Sequence, residues 1–136
     1  MKNSIKILFV LTIALFTFNS CEKDQAILPA ITFKTGTTYI STDVTQTAGS
    51  TLLFGIDAAK TEGRDYLKKL DISKSVDGAT AVSVFSHDMS KSERENYSYD
   101  FSTTLDVAAG QTCKYTFTIT NRDGLVNQIF STVTAQ

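Results

Sequence analysis

Three consecutive residues, Ser86, His87 and Asp88, are of the types that form the nucleophile, base and orienting carboxylate of a hydrolase. We predict a strand at residues 81–86 that continues into this segment, and side chains on extended chain alternate between its two faces. Neighbouring side chains therefore point apart and cannot relay a proton among themselves. His87 is the only histidine and is distant in sequence from Cys113, so a cysteine nucleophile lacks a nearby base. We expect the protein not to be an enzyme.

Four carboxylates near predicted loops are candidates for a calcium site. They belong to Asp57, Glu62, Asp65 and Asp123. The strand pattern described below brings these loops to one end of the domain, and carboxylate oxygens are the ligands that calcium prefers. The same loops contain arginines at positions 64 and 122, and the EF-hand spacing is absent. We expect surface ion pairs and no resident metal, with calcium binding as the alternative.

Three aromatic residues are left outward by the predicted strand phases. They are Tyr39, Tyr66 and Phe85. Exposed rings of this kind can stack against a sugar, so these residues are the candidates for a glycan site. The chain has no Trp, and packing of the three rings in the core or at its rim is the alternative.

The first 20 residues have the pattern of an export signal. Lys2 and Lys6 supply a positive start, and residues 7–18 form an apolar run. This run has the length of a signal-peptide core and is shorter than the roughly 20 residues that a membrane-spanning helix needs. We therefore predict a signal peptide and not an anchor helix.

The residues before Cys21 indicate how the signal is cleaved. Ser20 directly before it is small, whereas Phe18 three positions before it is large and apolar. Ordinary signal peptidase requires small residues at both positions, and the segment instead resembles the lipobox of Bacteroidota lipoproteins. The resemblance implies diacylglycerol on the Cys21 sulfur and acylation of the freed amine. Two or three acyl chains would hold the protein on a membrane.

The three residues after this cysteine bear on its final location. They are Glu22, Lys23 and Asp24. Acidic residues and lysine at this place resemble the signal that sends Bacteroidota lipoproteins to the outer surface. We expect an outer-membrane lipoprotein of the cell envelope, and a surface-exposed and a periplasm-facing position are both open.

Composition limits the remaining classes of function. Removal of residues 1–20 leaves 116 residues, the size of one domain. It also removes two lysines and leaves 11 basic and 14 acidic residues, which argues against binding to nucleic acid. A hydrophobic content of 42% is typical of a folded globular domain.

Alternating apolar and polar residues predict about seven β-strands in residues 31–136. The clearest strand is residues 112–120, in which Cys113 and the next three odd-numbered residues are apolar and predicted to be buried. We predict a first strand broken into residues 31–33 and 38–44. In residues 81–86 the pattern predicts that Val82 and Val84 point inward.

Other segments are less regular or mark turns. The last strand, residues 125–133, is apolar on both faces, so its register is open. Residues 90–93 have the form of a capping box and predict one helical turn. Glycines at the predicted strand ends supply turns with positive φ. They are Gly49, Gly78, Gly110 and Gly124.

This strand count, the entry of residues 110–115 into a Thr-rich penultimate strand, and the hairpin at residues 121–124 resemble immunoglobulin-like and fibronectin type III-like domains. The resemblance implies an all-β fold, an antiparallel immunoglobulin-like β-sandwich, with Tyr115 as the tyrosine-corner residue. The chain differs in lacking Trp and a second buried Cys.

The chain therefore divides into three parts: 1–20 is a signal peptide, 21–30 carries the lipidated cysteine and a tether, and 31–136 is the sandwich. We expect a lipid-anchored cell-envelope protein that acts as a non-catalytic interaction or adhesion module, bound to the membrane and to a protein or glycan partner. A surface carbohydrate-binding accessory lipoprotein is the alternative. We expect recognition to use a sheet face or an edge strand.

Overall fold

The computed structural model describes residues 26–136, which form eight β-strands and contain no helix. The predicted signal peptide, the lipidation of Cys21 and the sorting residues 22–24 lie outside the described residues. Among residues 26–136, no helical segment exists that could cross a membrane. The strands are β1 (Ala30–Phe33), β2 (Val44–Gln46), β3 (Thr51–Ala59), β4 (Leu67–Val76), β5 (Val82–Asp88), β6 (Asn96–Thr104), β7 (Thr112–Asn121) and β8 (Val126–Ala135).

The strands form two sheets, one of three strands in the order β1-β3-β6 and one of five in the order β2-β8-β7-β4-β5. All neighbouring strands are antiparallel except β2 and β8, which are parallel. Apolar faces of the two sheets pack against each other, so the fold is a β-sandwich and the all-β prediction is confirmed.

The first strand is divided between the two sheets, which explains eight strands where about seven were predicted. β1 pairs with β3, whereas β2 pairs with β8 of the other sheet. The prediction of a strand at residues 38–44 is wrong, since only Val44 of these residues is in a strand. Lys34 and Ile40 still donate backbone hydrogen bonds to β3, at 2.8 Å each, but the chain between them bulges away before it crosses to the other sheet.

The core contains the inward residues of β7 that the sequence predicted, together with those of β3. Phe54 of β3 lies 5.0 Å from Tyr115 and 5.5 Å from Phe117 of β7, measured between ring centroids. In β8, whose register was open, Val133 is buried, whereas Phe130 points outward and is 54% exposed.

The predicted orientation of β5 is wrong. Val82 and Val84 are 64% and 44% exposed, and Phe85 points inward. The cause is a β-bulge: Ile72 of β4 pairs with Phe85 and the next residue, Ser73, pairs with Ser83. Val84 is the extra residue, and one extra residue reverses the alternation from Phe85 onward, so that Phe85 and not Val84 faces the core.

Two smaller expectations also need correction. Residues 90–93 form a turn and not a helical turn, although the Glu93 carboxylate does accept the Ser90 backbone N–H at 2.8 Å, as a capping box requires. Tyr115 is fully buried, but among the described residues its hydroxyl finds no hydrogen-bond partner. It therefore does not form a tyrosine corner, and burial raises the pKa of this hydroxyl well above its ordinary value.

Candidate functional site

The two long sides of the sandwich differ. On one side the segment between β1 and β2 crosses from one sheet to the other and closes the edge. On the opposite side the edge strands β5 and β6 lie next to each other across the sheets, and no further strand of the described chain covers them. We call this the open side. It is the candidate functional site because its backbone and its rings are both accessible.

Four stacked rings, which we call the aromatic stripe, line the open side. Phe85 stacks on Tyr99 with centroids 4.6 Å apart and an interplanar angle of 19°. His87 stacks on Tyr97 at 5.2 Å and 13°. All four side chains are half-buried, since each belongs to an edge strand and has core on one side only. Such ring pairs stabilise by about 0.5–1.5 kcal/mol each beyond the area that they bury.

The stripe is held at one end by a loop carboxylate. Nε2 of His87 lies 3.1 Å from Oε2 of Glu93. Hydrogen bonds from Ser90, with a further one from His87, lower the pKa of Glu93 from 4.5 to about 2. Burial raises the pKa of Tyr97 above its ordinary value of 10.0. His87 is thus fixed by an ionised group and by a ring.

The Ser86-His87-Asp88 sequence does not come together as a catalytic group. In the strand register, Ser86 lies opposite Asp71 and Asp88 lies opposite Lys69. The side chains of Ser86 and Asp88 are on the outer face of the five-stranded sheet. His87 points to the opposite face, as the alternation along the strand requires.

The hydrogen bonds between β6 and β3 determine which backbone groups of β6 are left unpaired at its free edge. The backbone carbonyl of Glu95 accepts the N–H of Lys60, and the backbone N–H of Leu105 donates to the carbonyl of Ser50, both at 2.9 Å. The register between these points is regular, so the odd-numbered residues of β6 direct their backbone groups to β3. The even-numbered residues, among them Ser98, therefore direct N–H and C=O groups away from the sheet.

This edge has few of the features that usually prevent strand addition, and Asp100, paired with Lys34, is the only charged residue of β6. β6 runs for nine residues without a bulge, and its sequence contains neither Lys nor Pro. β1 and β2 are only four and three residues long, and β5 carries the bulge at Val84. Long regular edges without such protection accept additional strands. Among the described strands, β6 is therefore the best suited to bind a partner strand.

The calcium candidates do not form a site. Asp65 is buried and accepts hydrogen bonds from Asn121 Nδ2 at 2.5 Å and from the Tyr66 backbone at 2.7 Å. Asp123 pairs with Arg122, whose Nε lies 2.9 Å from its Oδ1. Asp57 and Glu62 do not join them, because within residues 26–136 no cluster of three or more acidic, His or Cys side chains is arranged to hold a metal ion.

The glycan candidates lie on three different surfaces. Tyr39 lies over Gly55 on the outer face of the three-stranded sheet, and its hydroxyl donates to Asp100 at 3.0 Å. The Tyr66 ring packs against the guanidinium of Arg94, whose Cζ is 4.5 Å from the ring centroid. Phe85 was predicted to point outward, but it belongs to the aromatic stripe. The structure does not bring the three rings together.

Sequence reasoning missed two exposed apolar side chains on β8. Val126 and Phe130 are 49% and 54% exposed, and Nζ of Lys114 lies 3.8 Å from the centroid of the Phe130 ring. The signal was present in the alternation of Val126, Gln128, Phe130 and Thr132, but the opposite face of this segment is equally apolar.

The N-terminal segment enters at the end of the sandwich where β3 ends. The carbonyl of Leu28 accepts a hydrogen bond from Thr61, and that of Pro29 accepts one from Asn127, both at 2.9 Å. The loops after β3 and after β7 lie at this same end. The free edge of β6 begins there and runs towards the far end.

Comparison with known proteins finds matches among solved structures. No known protein family and no curated protein matches the chain. Among solved structures, the sporulation control protein Spo0M from Bacillus subtilis is similar at 9% identity and a TM-score of 0.42. The match covers 80% of this chain and 49% of that one, so the chain spans about half the length of Spo0M. A likeness of this degree carries no argument about function.

Proposed function

We propose that this protein is a lipid-anchored cell-envelope protein whose immunoglobulin-like domain binds an extended segment of a protein partner at the free edge of β6. The proposed role is interaction or adhesion without catalysis. The observation that carries the proposal is the nine-residue β6 edge, which is regular and presents unpaired backbone groups next to the aromatic stripe. An added strand would hydrogen-bond to the backbone and contact the rims of the rings.

The immunoglobulin-like assignment draws support from the strand order. A first strand divided between the sheets, three strands packed against a longer sheet, and antiparallel hairpins within each sheet are the arrangement that this class would have. The missing tyrosine corner is a departure from it.

The anchor is supported by the sequence around Cys21, and the hydrogen bond between Leu28 and Thr61 sets its distance from the domain. The lipobox-like pattern at Cys21 would place acyl chains seven residues before Leu28, which is fixed to the sandwich. The domain would therefore stay close to the membrane surface. Outer-membrane localisation is part of the proposal, with both membrane faces open.

Strand addition accounts for the structure better than recognition by loops. At the end far from the tether, the connections are tight turns built on Gly49, Gly78 and Gly110, each with positive φ. Such turns leave little surface for a ligand. For the carbohydrate-binding alternative, the three candidate rings are on separate surfaces, and two of them are engaged by Asp100 or Arg94.

Site-specific photocrosslinking in cells tests the proposal. A photoreactive amino acid at position 102, on the free edge, should form an adduct with a discrete protein partner, whereas one at Thr32, on the other edge strand of the same sheet, should not. Ser98→Pro removes an outward-facing N–H and should abolish the adduct without unfolding the domain, since proline is tolerated where the N–H faces solvent. Ser98→Ala should preserve it. Equal adducts at both positions, or an adduct insensitive to Ser98→Pro, would contradict strand addition.

A further inference from the structure

We propose that the outer surface of β7 and β8 rests against the membrane that holds the lipid anchor. This inference depends on the anchor of the proposed function, and it concerns a surface different from the open side. We call it the β7–β8 face. Its outward side chains are Lys114, Thr116, Thr118, Thr120, Val126, Gln128, Phe130, Thr132 and Thr134.

The β7–β8 face is almost free of charge. Lys114 is its single charged residue, in a chain whose overall charged content is 20%. The outer face of the three-stranded sheet, by comparison, carries the ion pair of Lys34 and Asp100. Two carboxylates border the β7–β8 face: that of Asp43 accepts from the Thr132 backbone at one margin, and Asp71 of β4 lies beside Thr118 in the strand register at the other. A surface with one cation and mostly hydroxyl and apolar groups suits contact with an anionic lipid surface.

Exposed apolar side chains lead from the tether onto this face. Ile27 and Leu28 are 43% and 47% exposed. They immediately precede Pro29, whose carbonyl is bonded to Asn127, the residue next to Val126. Together with Val126 and Phe130, they account for four of the six large apolar side chains that are exposed among the described residues. Apolar groups concentrated where an anchored chain leaves the membrane indicate contact with the lipid.

The length of the tether brings the face within reach. Leu28 is seven positions along the chain from Cys21, and this stretch spans at most about 25 Å when fully extended. Phe130 lies three residues beyond Asn127 along β8, a distance of about 10 Å. An anchored domain that tilts about its tether end can therefore place Phe130 on the same membrane.

Lys114 and Phe130 have the arrangement that is expected of residues at a membrane interface. The ammonium group lies above the ring, and the aliphatic part of a lysine side chain packs on apolar surface while its charge stays in water. On an anionic membrane the ammonium group would bind phosphate groups of the lipid, and the ring would enter the layer beneath them.

Tryptophan fluorescence tests this contact directly, since the chain has no Trp of its own. Phe130→Trp and, on the same face, Gln128→Trp each place one reporter in the lipidated protein. Val84→Trp is the control on β5, where the replaced side chain is similarly exposed. The proteins are reconstituted into vesicles of phosphatidylcholine and phosphatidylglycerol with brominated acyl chains, and flotation verifies attachment.

We expect the reporters at 130 and 128 to lose most of their fluorescence to the bromines and the reporter at 84 to lose little. Vesicles that float with the protein but leave the reporter at 130 as bright as that at 84 overturn this inference and leave the anchor intact. Protein that does not float overturns the anchor and this inference together. Protection of the reporter at 130 from iodide by a soluble polysaccharide, with no quenching by lipid, would assign the face to glycans instead.

Discussion

Asp65 and Asn121 are joined by a buried hydrogen bond, in which Nδ2 of Asn121 donates to Oδ2 of Asp65 at 2.5 Å. The other carboxylate oxygen accepts the Tyr66 backbone N–H, and the amide oxygen of Asn121 accepts the Leu125 backbone N–H at 2.8 Å. One pair of side chains thus fixes the loop after β3 to the hairpin between β7 and β8. This is the end at which the N-terminal segment enters.

Asn121→Ala should lower the free energy of unfolding by about 1–3 kcal/mol, because it leaves a buried carboxylate with one of its donors missing. Urea denaturation measures the change. Asn96→Ala, at an exposed position on β6, is the matched control and should change stability by no more than about 0.5 kcal/mol. Equal losses in the two variants would show that the buried pair has no special role.

Gly55→Ala should destabilise the protein, because a Cβ at this position would lie 2.6 Å from Cδ of Lys34 and 2.8 Å from the Tyr39 ring. The ring cannot move away without breaking its hydrogen bond to Asp100. Overpacking of this kind costs about 1–3 kcal/mol. Gly63→Ala, which meets open space, is the control.

The contact between Gly55 and Tyr39 can be isolated by a double-mutant cycle. In a Tyr39→Ala background, Gly55→Ala should cost less than it does in the natural chain, since the ring that obstructs the new methyl group is gone. Additive effects would mean that the strain comes from Lys34 or from the backbone.

The sequence predicted best the strands that have one buried face and one solvent-exposed face. In β7, Cys113, Tyr115 and Phe117 alternate with polar residues, and all three are buried. β5 was assigned the wrong orientation because the bulge at Val84 depends on its pairing with β4, which no local pattern in β5 reveals. Residues 38–43 contain β-branched residues typical of strands, but most of their backbone has no neighbouring strand to pair with.

The candidate site was predicted only in its parts. Tyr97 and Tyr99 alternate with polar residues along β6 and lie on its inner face, packed against the core. The stripe also needs Phe85 and His87 from β5, so the error in that strand concealed it. The free edge of β6 follows from the order of strands in the sheet, which is set by packing between segments distant in sequence.

Glu93 should contribute to the acid sensitivity of the fold. Its pKa is lowered from 4.5 to about 2 in the folded chain, so its ionised form stabilises the fold above pH 4.5, and this contribution is lost as the pH falls from 4.5 towards 2. In Glu93→Gln the urea midpoint should therefore decline less over this interval. Asp77, Asp100 and Asp106, whose pKa values are also lowered, titrate in both proteins, so parallel curves would mean that Glu93 contributes nothing.

The thiol of Cys113 links the fold to the proposed anchor. It is fully buried between the sheets, and burial raises its pKa above the ordinary value, so the folded protein should not react with an aromatic disulfide reagent. In denaturant the membrane-extracted protein should release one thiol per chain, because the only other sulfur of a cysteine, that of Cys21, would be in a thioether. Cys113→Ala should release none. Two thiols in the natural chain would show that Cys21 carries no lipid, and rapid reaction of the folded chain would contradict the burial of Cys113.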